Sequence, residues 1–273
     1  MQNTPFYTFY SKTALLASAS LFFDRMAYYG LRAILILYLL EKLEWDQNSV
    51  FEFYGGLFIA SSFFGLIGSL IGDLTKNKIL CIIAFIALII SSLLIAIPKD
   101  ICVLAGITLL VIFEKISAIN IKSIFAREHL NEDASLEGGF TFLYLIINLG
   151  AIIGAAFIAW VSKELSFSLG FVICAFLYGF GLTVAFFIEA KDPNAIDRSH
   201  ISATRKWLIP ILIGFALCLF WAVYELNFNS IYLYVRDIFQ ESEDQNLSMT
   251  ISLLQTLPTL FFGVILYVLW ALF

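Results

Sequence analysis

Eight stretches of this chain are each long and apolar enough to cross a bilayer, and almost nothing lies between them. They run at about 14 to 40, 50 to 72, 79 to 97, 101 to 124, 140 to 162, 167 to 189, 207 to 232 and 249 to 273. A span needs roughly 20 mostly apolar residues, because in hydrocarbon only a helix or a closed barrel satisfies its own backbone. Composition agrees: 61% of residues are hydrophobic and 14% charged, against about 25% charged in a soluble domain. The expected class is an all-α polytopic membrane protein.

Most function classes drop out at this point. The net charge of −5 and the lack of a basic patch argue against nucleic acid. Cys81, Cys102, Cys174 and Cys218 all sit in apolar runs, and His129 and His200 stand alone in polar loops, so no metal site or disulfide framework is expected. No nucleophile with a nearby base and no phosphate-binding glycine loop is present, so an enzyme is not expected. The opening MQNTPFYTFYSK lacks the charged and cleavable features of a signal peptide. The aromatic residues, 28 Phe and 12 Tyr among them, read as packing and lipid-facing surface.

Two connectors are longer than the rest, at 126 to 139 and 189 to 206. The second is polar, contains Pro193 and separates six apolar runs from two. The predicted organisation is a six-helix bundle over 1–189, a linker over 190–206 and two further helices over 207–273. Lys and Arg fall eight to one side (Lys12, Lys76, Lys78, Arg127, Lys191, Arg198, Arg205, Lys206) and four to the other (Lys42, Lys99, Lys163, Arg236). The basic side is the cytoplasmic one, which places the N-terminus in the cytoplasm and the protein in the inner membrane.

The first run carries charges where hydrocarbon is expected. FFDRMAYYGLRAILILYLL, residues 22 to 40, includes Asp24, Arg25 and Arg32 together with Tyr28 and Tyr29. An ionised group at the bilayer centre costs at least ~2.5 to 3.5 kcal/mol, so such groups face a bundle interior and mark a pathway. Arg25 and Arg32 lie two helical turns apart, on one face. A zwitterionic cargo needs fixed charges of both signs, and a coupled proton needs a carboxylate with a cation nearby. Small residues at Gly55, Gly56, Gly150 and Gly154 mark close helix contacts, the last two as a small-xxx-small pair.

Several motifs then point to a family. GSLIGDLTKNK, with Gly68, Gly72, Asp73, Lys76 and Lys78, resembles the loop between helices two and three in the major facilitator superfamily, where it acts in gating. DRMAYYGLRA resembles the first-helix motif of the proton-dependent oligopeptide transporters, a branch of that superfamily. FTFLYLIINLGAI, around Asn148, is similar to their fifth helix; FWAVYELNFNSIYLYVRD, with Glu225, to their seventh; QTLPTLFFGVILYVLW to their eighth. The resemblance implies a symporter importing di- or tripeptides or similar zwitterions, with protons as the coupling ion and no other cofactor. It implies that Arg25 and Arg32 meet the substrate carboxylate with Tyr28 and Tyr29 beside them. It places Asn148 and Glu225 at the amino end, and gives Asp24 and Glu225 a part in proton coupling.

Departures from the pattern set the second expectation. The family's first motif Glu falls on Leu21, and the fourth-helix Lys that partners it falls on Ala118, ahead of Ile119 and Asn120. Losing both is coherent, because losing one would strand a buried charge at a cost of ~3 to 5 kcal/mol. Lys115 either replaces that cation or pairs with Glu114. On the second helix a pocket Tyr becomes Ser62 and a Pro becomes Gly65. The chain also ends after helix eight, where the superfamily's two-bundle cavity calls for four more. The alternative expectation is therefore a pseudo-transporter, a scaffold subunit with a protein partner.

Overall fold

The computed structural model describes residues 11–74, 77–128 and 133–189. The chain divides into two units, Met1–Ile196 and Asp197–Phe273, and every described residue belongs to the first. The described residues form six α-helices: α1 Lys12–Leu37, α2 Gln47–Leu74, α3 Asn77–Ile95, α4 Asp100–Glu128, α5 Asp133–Glu164 and α6 Phe167–Phe186. A π-helical turn, Tyr38–Lys42, closes α1. The two runs expected at 207 to 232 and 249 to 273 lie outside the described residues, as does the linker at 190–206.

Local chemistry sets the helix ends. The Ser11 hydroxyl caps α1 by accepting from the Ala14 N–H at 3.1 Å, and Ser166 caps α6 by accepting from Leu169 at 3.2 Å. Pro98 follows α3 closely and cannot extend its ladder. Asp100, in the first turn of α4, accepts from the Trp45 indole at 2.9 Å and so ties the α1–α2 connection to α4.

One expectation needs correction. The connector read at 126 to 139 is mostly helix, because α4 runs on to Glu128 and α5 starts at Asp133. Apolar run length measures the hydrocarbon crossing, whereas good helix formers such as Ala126, Arg127 and Glu128 let the helix continue into the polar zone.

Helices α3, α4, α5 and α6 each contain an 18-residue stretch apolar enough to cross a membrane, whereas α2 offers a shorter apolar segment, Phe63–Gly72. Helix α1 instead carries Asp24, Arg25 and Arg32 within its apolar run. Outward faces are hydrocarbon: Ile79, Ile83, Ile86 and Ile90 on α3, and Leu145, Ile152 and Trp160 on α5, are exposed. A water-facing surface would not carry such a contiguous apolar cover. The protein is an integral membrane protein.

Helix α1 lies at the centre, packed on α4, α5 and α6, while α2 packs on α4 and α3 packs on α4 and α6. Its contact with α5 is a four-residue lattice. A Cβ on Gly150 would meet the Phe22 carbonyl, one on Gly154 the Met26 carbonyl, and one on Gly30 the Gly154 carbonyl and Ile158. Glycine is needed here for close backbone approach. On another face the Ser20 hydroxyl donates to the Gly181 carbonyl of α6 at 3.0 Å. The remaining face turns its charges to α4.

Candidate functional site

Asp24 and Arg25 sit a little over one turn past Ser20 and meet the middle of α4. Arg25 donates through Nε and Nη2 to Asp24 Oδ2, at 2.8 and 2.5 Å, and Nη2 also meets Glu114 Oε1 at 2.6 Å. The Ser117 hydroxyl donates to the other oxygen of Asp24, Oδ1, at 3.3 Å. Asp24 is 0% exposed, Glu114 1% and Arg25 5%, so all three charges are withdrawn from solvent. Lys115 lies 3.5 Å from Glu114 Oε2 with its side chain 33% exposed. Two carboxylates therefore face two cations, and the cluster is formally neutral.

A second group stands further along α1. Arg32 donates through Nε to the Tyr54 hydroxyl of α2 at 2.7 Å and lies over its ring, 5.7 Å from the centroid. Tyr28 connects the two groups: its ring has Arg25 at 5.1 Å and Lys115 at 5.9 Å, both at cation–π range. Tyr29 packs edge-on against Tyr28 with centroids 5.2 Å apart. Tyr28, Arg32, Tyr54, Ser61, Leu110 and Glu114 border a cavity of about 40 Å³ between α1, α2 and α4. That volume holds a few waters rather than a dipeptide.

The structure thus brings together Asp24, Arg25, Tyr28, Tyr29 and Arg32. It leaves Asn148 apart. That residue is exposed on α5, and its amide donates to the Tyr144 carbonyl of its own helix at 2.7 Å. Glu225 lies outside the described residues. Of the two readings of Lys115, pairing with Glu114 is the one observed. The places of the family's missing charge pair, Leu21 and Ala118, are buried at 0% and 3% exposure, filled with hydrocarbon.

The loop motif is part of a separate polar network at the ends of α2, α3 and α4. Asn77 Nδ2 donates to Asn120 Oδ1 at 2.8 Å, and Arg127 Nη1 donates to Asn77 Oδ1 at 2.8 Å. Asn120 Nδ2 donates to the carbonyls of Ile116 at 2.8 Å and Gly68 at 3.3 Å. A Cβ on Gly68 would strike Ile116, and one on Gly72 would strike the Asn120 amide. Lys78 Nζ donates to the Phe186 carbonyl at the end of α6, at 2.8 Å. Asp73 ends within the last turns of α2, and Lys76 lies outside the described residues.

Sequence reasoning missed Glu114 as a partner of Arg25, Tyr54 as a partner of Arg32, and Asn77 with Arg127. For Glu114 the signal was present: an acid inside the apolar run of α4 demands a cation, just as Asp24 does in α1. For Tyr54 no local signal existed, since pairing across helices depends on their rotation.

Comparison with known proteins sets this arrangement in context. Dipeptide and tripeptide permease B of Photorhabdus luminescens is 27% identical over 200 residues, which cover 68% of this chain and 40% of that protein. Its namesake in Aliivibrio fischeri (strain MJ11) is 22% identical over 273 residues, covering 91% and 53%. The chain therefore spans about half the length of these curated relatives. Among solved structures, a POT family transporter in complex with 5-aminolevulinic acid superposes with a TM-score of 0.64 at 19% identity, over 84% of this chain and 49% of that one. A peptide transporter POT in complex with sulfate gives 0.64 at 19% identity, over 83% and 48%. These likenesses carry the fold. The Major Facilitator Superfamily model matches residues 17–273, nearly the whole sequence, and the chain belongs to that superfamily.

Proposed function

We propose that the protein is a secondary transporter that imports small zwitterions, di- and tripeptides foremost, together with protons, across the inner membrane with its N-terminus in the cytoplasm. The observation that carries this reading is the buried Asp24–Arg25–Glu114 cluster beside a cavity that Arg32, Tyr28 and Tyr54 also border. Structural ion pairs gain little over well-packed hydrocarbon, so a charged cluster retained in a membrane-spanning helix argues for use. The permease names of the relatives support the substrate class.

In this mechanism Arg25 and Arg32 attract the substrate carboxylate, with Tyr28 and Tyr29 forming the amphipathic wall. Asn148 and Glu225 take the amino end, and Asp24 and Glu225 act in proton coupling. The polar network of Gly68, Asn77, Asn120 and Arg127 holds helix ends that move as one body when access alternates, and the loop motif with Gly72, Asp73, Lys76 and Lys78 acts in gating. No cofactor beyond the proton enters this scheme.

One observation favours a second reading, a pseudo-transporter serving as scaffold. Arg25 is committed to two carboxylates, and the described cavity is too small for a peptide. Uptake of labelled dipeptide into proteoliposomes under an inward proton gradient decides between them. Uptake abolished in Glu225→Gln establishes coupled transport. Absence of uptake in the folded, monodisperse protein, together with a stoichiometric co-purifying partner, establishes the scaffold.

A further inference from the structure

Three neighbours take three sides of α4. Helix α1 meets Glu114 and Ser117, α2 meets Ile116 through Gly68, and α3 reaches the Ser117 carbonyl and Asn120. The side left over runs through Ile101, Leu104, Thr108, Lys115 and Lys122, whose spacing keeps them on one face of a helix. Its first half is exposed hydrocarbon, Ile101 and Leu104, and its second half holds the two lysines. The change comes at the level of the charged cluster. This face borders the gap between α1 and α2 that contains the cavity: the Tyr28 ring lies 5.9 Å from Lys115 Nζ, and a Cβ on Gly65 would meet Lys115 Cβ at 3.0 Å and Ile119 Cδ1 at 3.2 Å.

The two lysines are placed on different terms. Lys115 stands 3.5 Å from Glu114 Oε2. Lys122 is exposed and forms no ion pair or hydrogen bond with any of the described residues. The charged groups around it are Arg25, Lys115, Glu114 and Asp24. The two carboxylates are already matched by Arg25 and Lys115, so the surplus charge is that of Lys122. A cation added to balanced charges in a membrane-spanning helix is costly to keep unless an anion comes to it.

We infer that Lys122 is a second anion site on the transport path, taking a side-chain carboxylate of the substrate, so that the preferred cargo is a peptide with an acidic residue. This rests on the transporter reading above and names the substrate class of that site. Seven residues of helix set Lys122 about 10 Å beyond Lys115 along α4. With the terminal carboxylate of the substrate at Arg25 and Arg32, an extended dipeptide covers about 7 Å of that distance, and a glutamyl side chain in first position covers the rest. The lysine ammonium is a compact charge with three donors and suits a single carboxylate. An uncharged side chain gains nothing there.

Isothermal titration calorimetry on the detergent-purified full chain tests this with glutamyl-alanine and glutaminyl-alanine, which match in size and differ by one charge. Glutamyl-alanine is expected to bind about fivefold more tightly, an advantage that shrinks with added salt. Lys122→Gln is expected to remove the advantage and Lys122→Arg to keep it. Equal binding of the two peptides by the unmodified chain overturns the inference without any variant having to fold, and an advantage that survives in Lys122→Gln overturns it as well. Binding of neither peptide would refute the transporter reading itself, a result distinct from equal binding.

Discussion

Two polar networks lie on α4 within three turns of each other, and they are built on opposite terms. Around Asn120, both atoms of the Asn77 amide and both of the Asn120 amide have partners, and Gly68 and Gly72 leave no room for a methyl group. Around Glu114 the groups are charged, Lys115 stands 3.5 Å from one carboxylate oxygen with its side chain partly exposed, and a cavity lies alongside. A satisfied amide network gains nothing by rearranging, whereas a charged cluster beside a cavity leaves its members room to move. The first suits a fixed joint between α2, α3 and α4. The second suits a place where partners change.

The sharpest way to break this contrast is Arg25→Ala, which leaves two buried carboxylates with Lys115, 3.5 Å from Glu114, as the remaining ion-pair partner among the described residues. A destabilisation of about 3 to 5 kcal/mol is expected, read as a large drop in the thermal midpoint of the detergent-solubilised protein. A near-normal midpoint would mean that the cluster is wetter and looser than its burial indicates.

Gly72→Ala probes the fixed joint. Its methyl group would displace the Asn120 amide from Asn77, and the expected cost is about 1 to 3 kcal/mol by the same measurement. Asn77→Ala removes one donor and an acceptor of Arg127 without adding bulk. It is expected to cost about 0.6 to 1.7 kcal/mol by the same measurement. The smallest effect belongs to Lys78→Ala, which withdraws a cation from the C-terminal end of α6 and is expected to cost about 0.3 to 1 kcal/mol, diminishing with added salt.

Much of the fold was legible in advance because run length and loop charge are one-dimensional quantities. Six of the eight apolar runs coincide with described helices, and the tight α1–α5 contact was foreshadowed by Gly150 and Gly154. The site was legible in part. Asp24, Arg25, Tyr28, Tyr29 and Arg32 are contiguous on one helix, so their grouping needed no knowledge of neighbours. Asn148 was grouped with them by resemblance alone, and its amide is bound to its own helix.

The sequence by itself determined that this is a multi-span helical membrane protein with charges in its first helix, since no other structure satisfies so much apolar backbone in hydrocarbon. Only the tertiary structure decided who answers those charges. Glu114 is 89 residues from Arg25, and Tyr54 is 22 from Arg32; each meets its partner because of how α1, α2 and α4 are rotated about their axes. That rotation is set by the close-packed glycines and the polar contacts along every helix together, so no local stretch of sequence contains it.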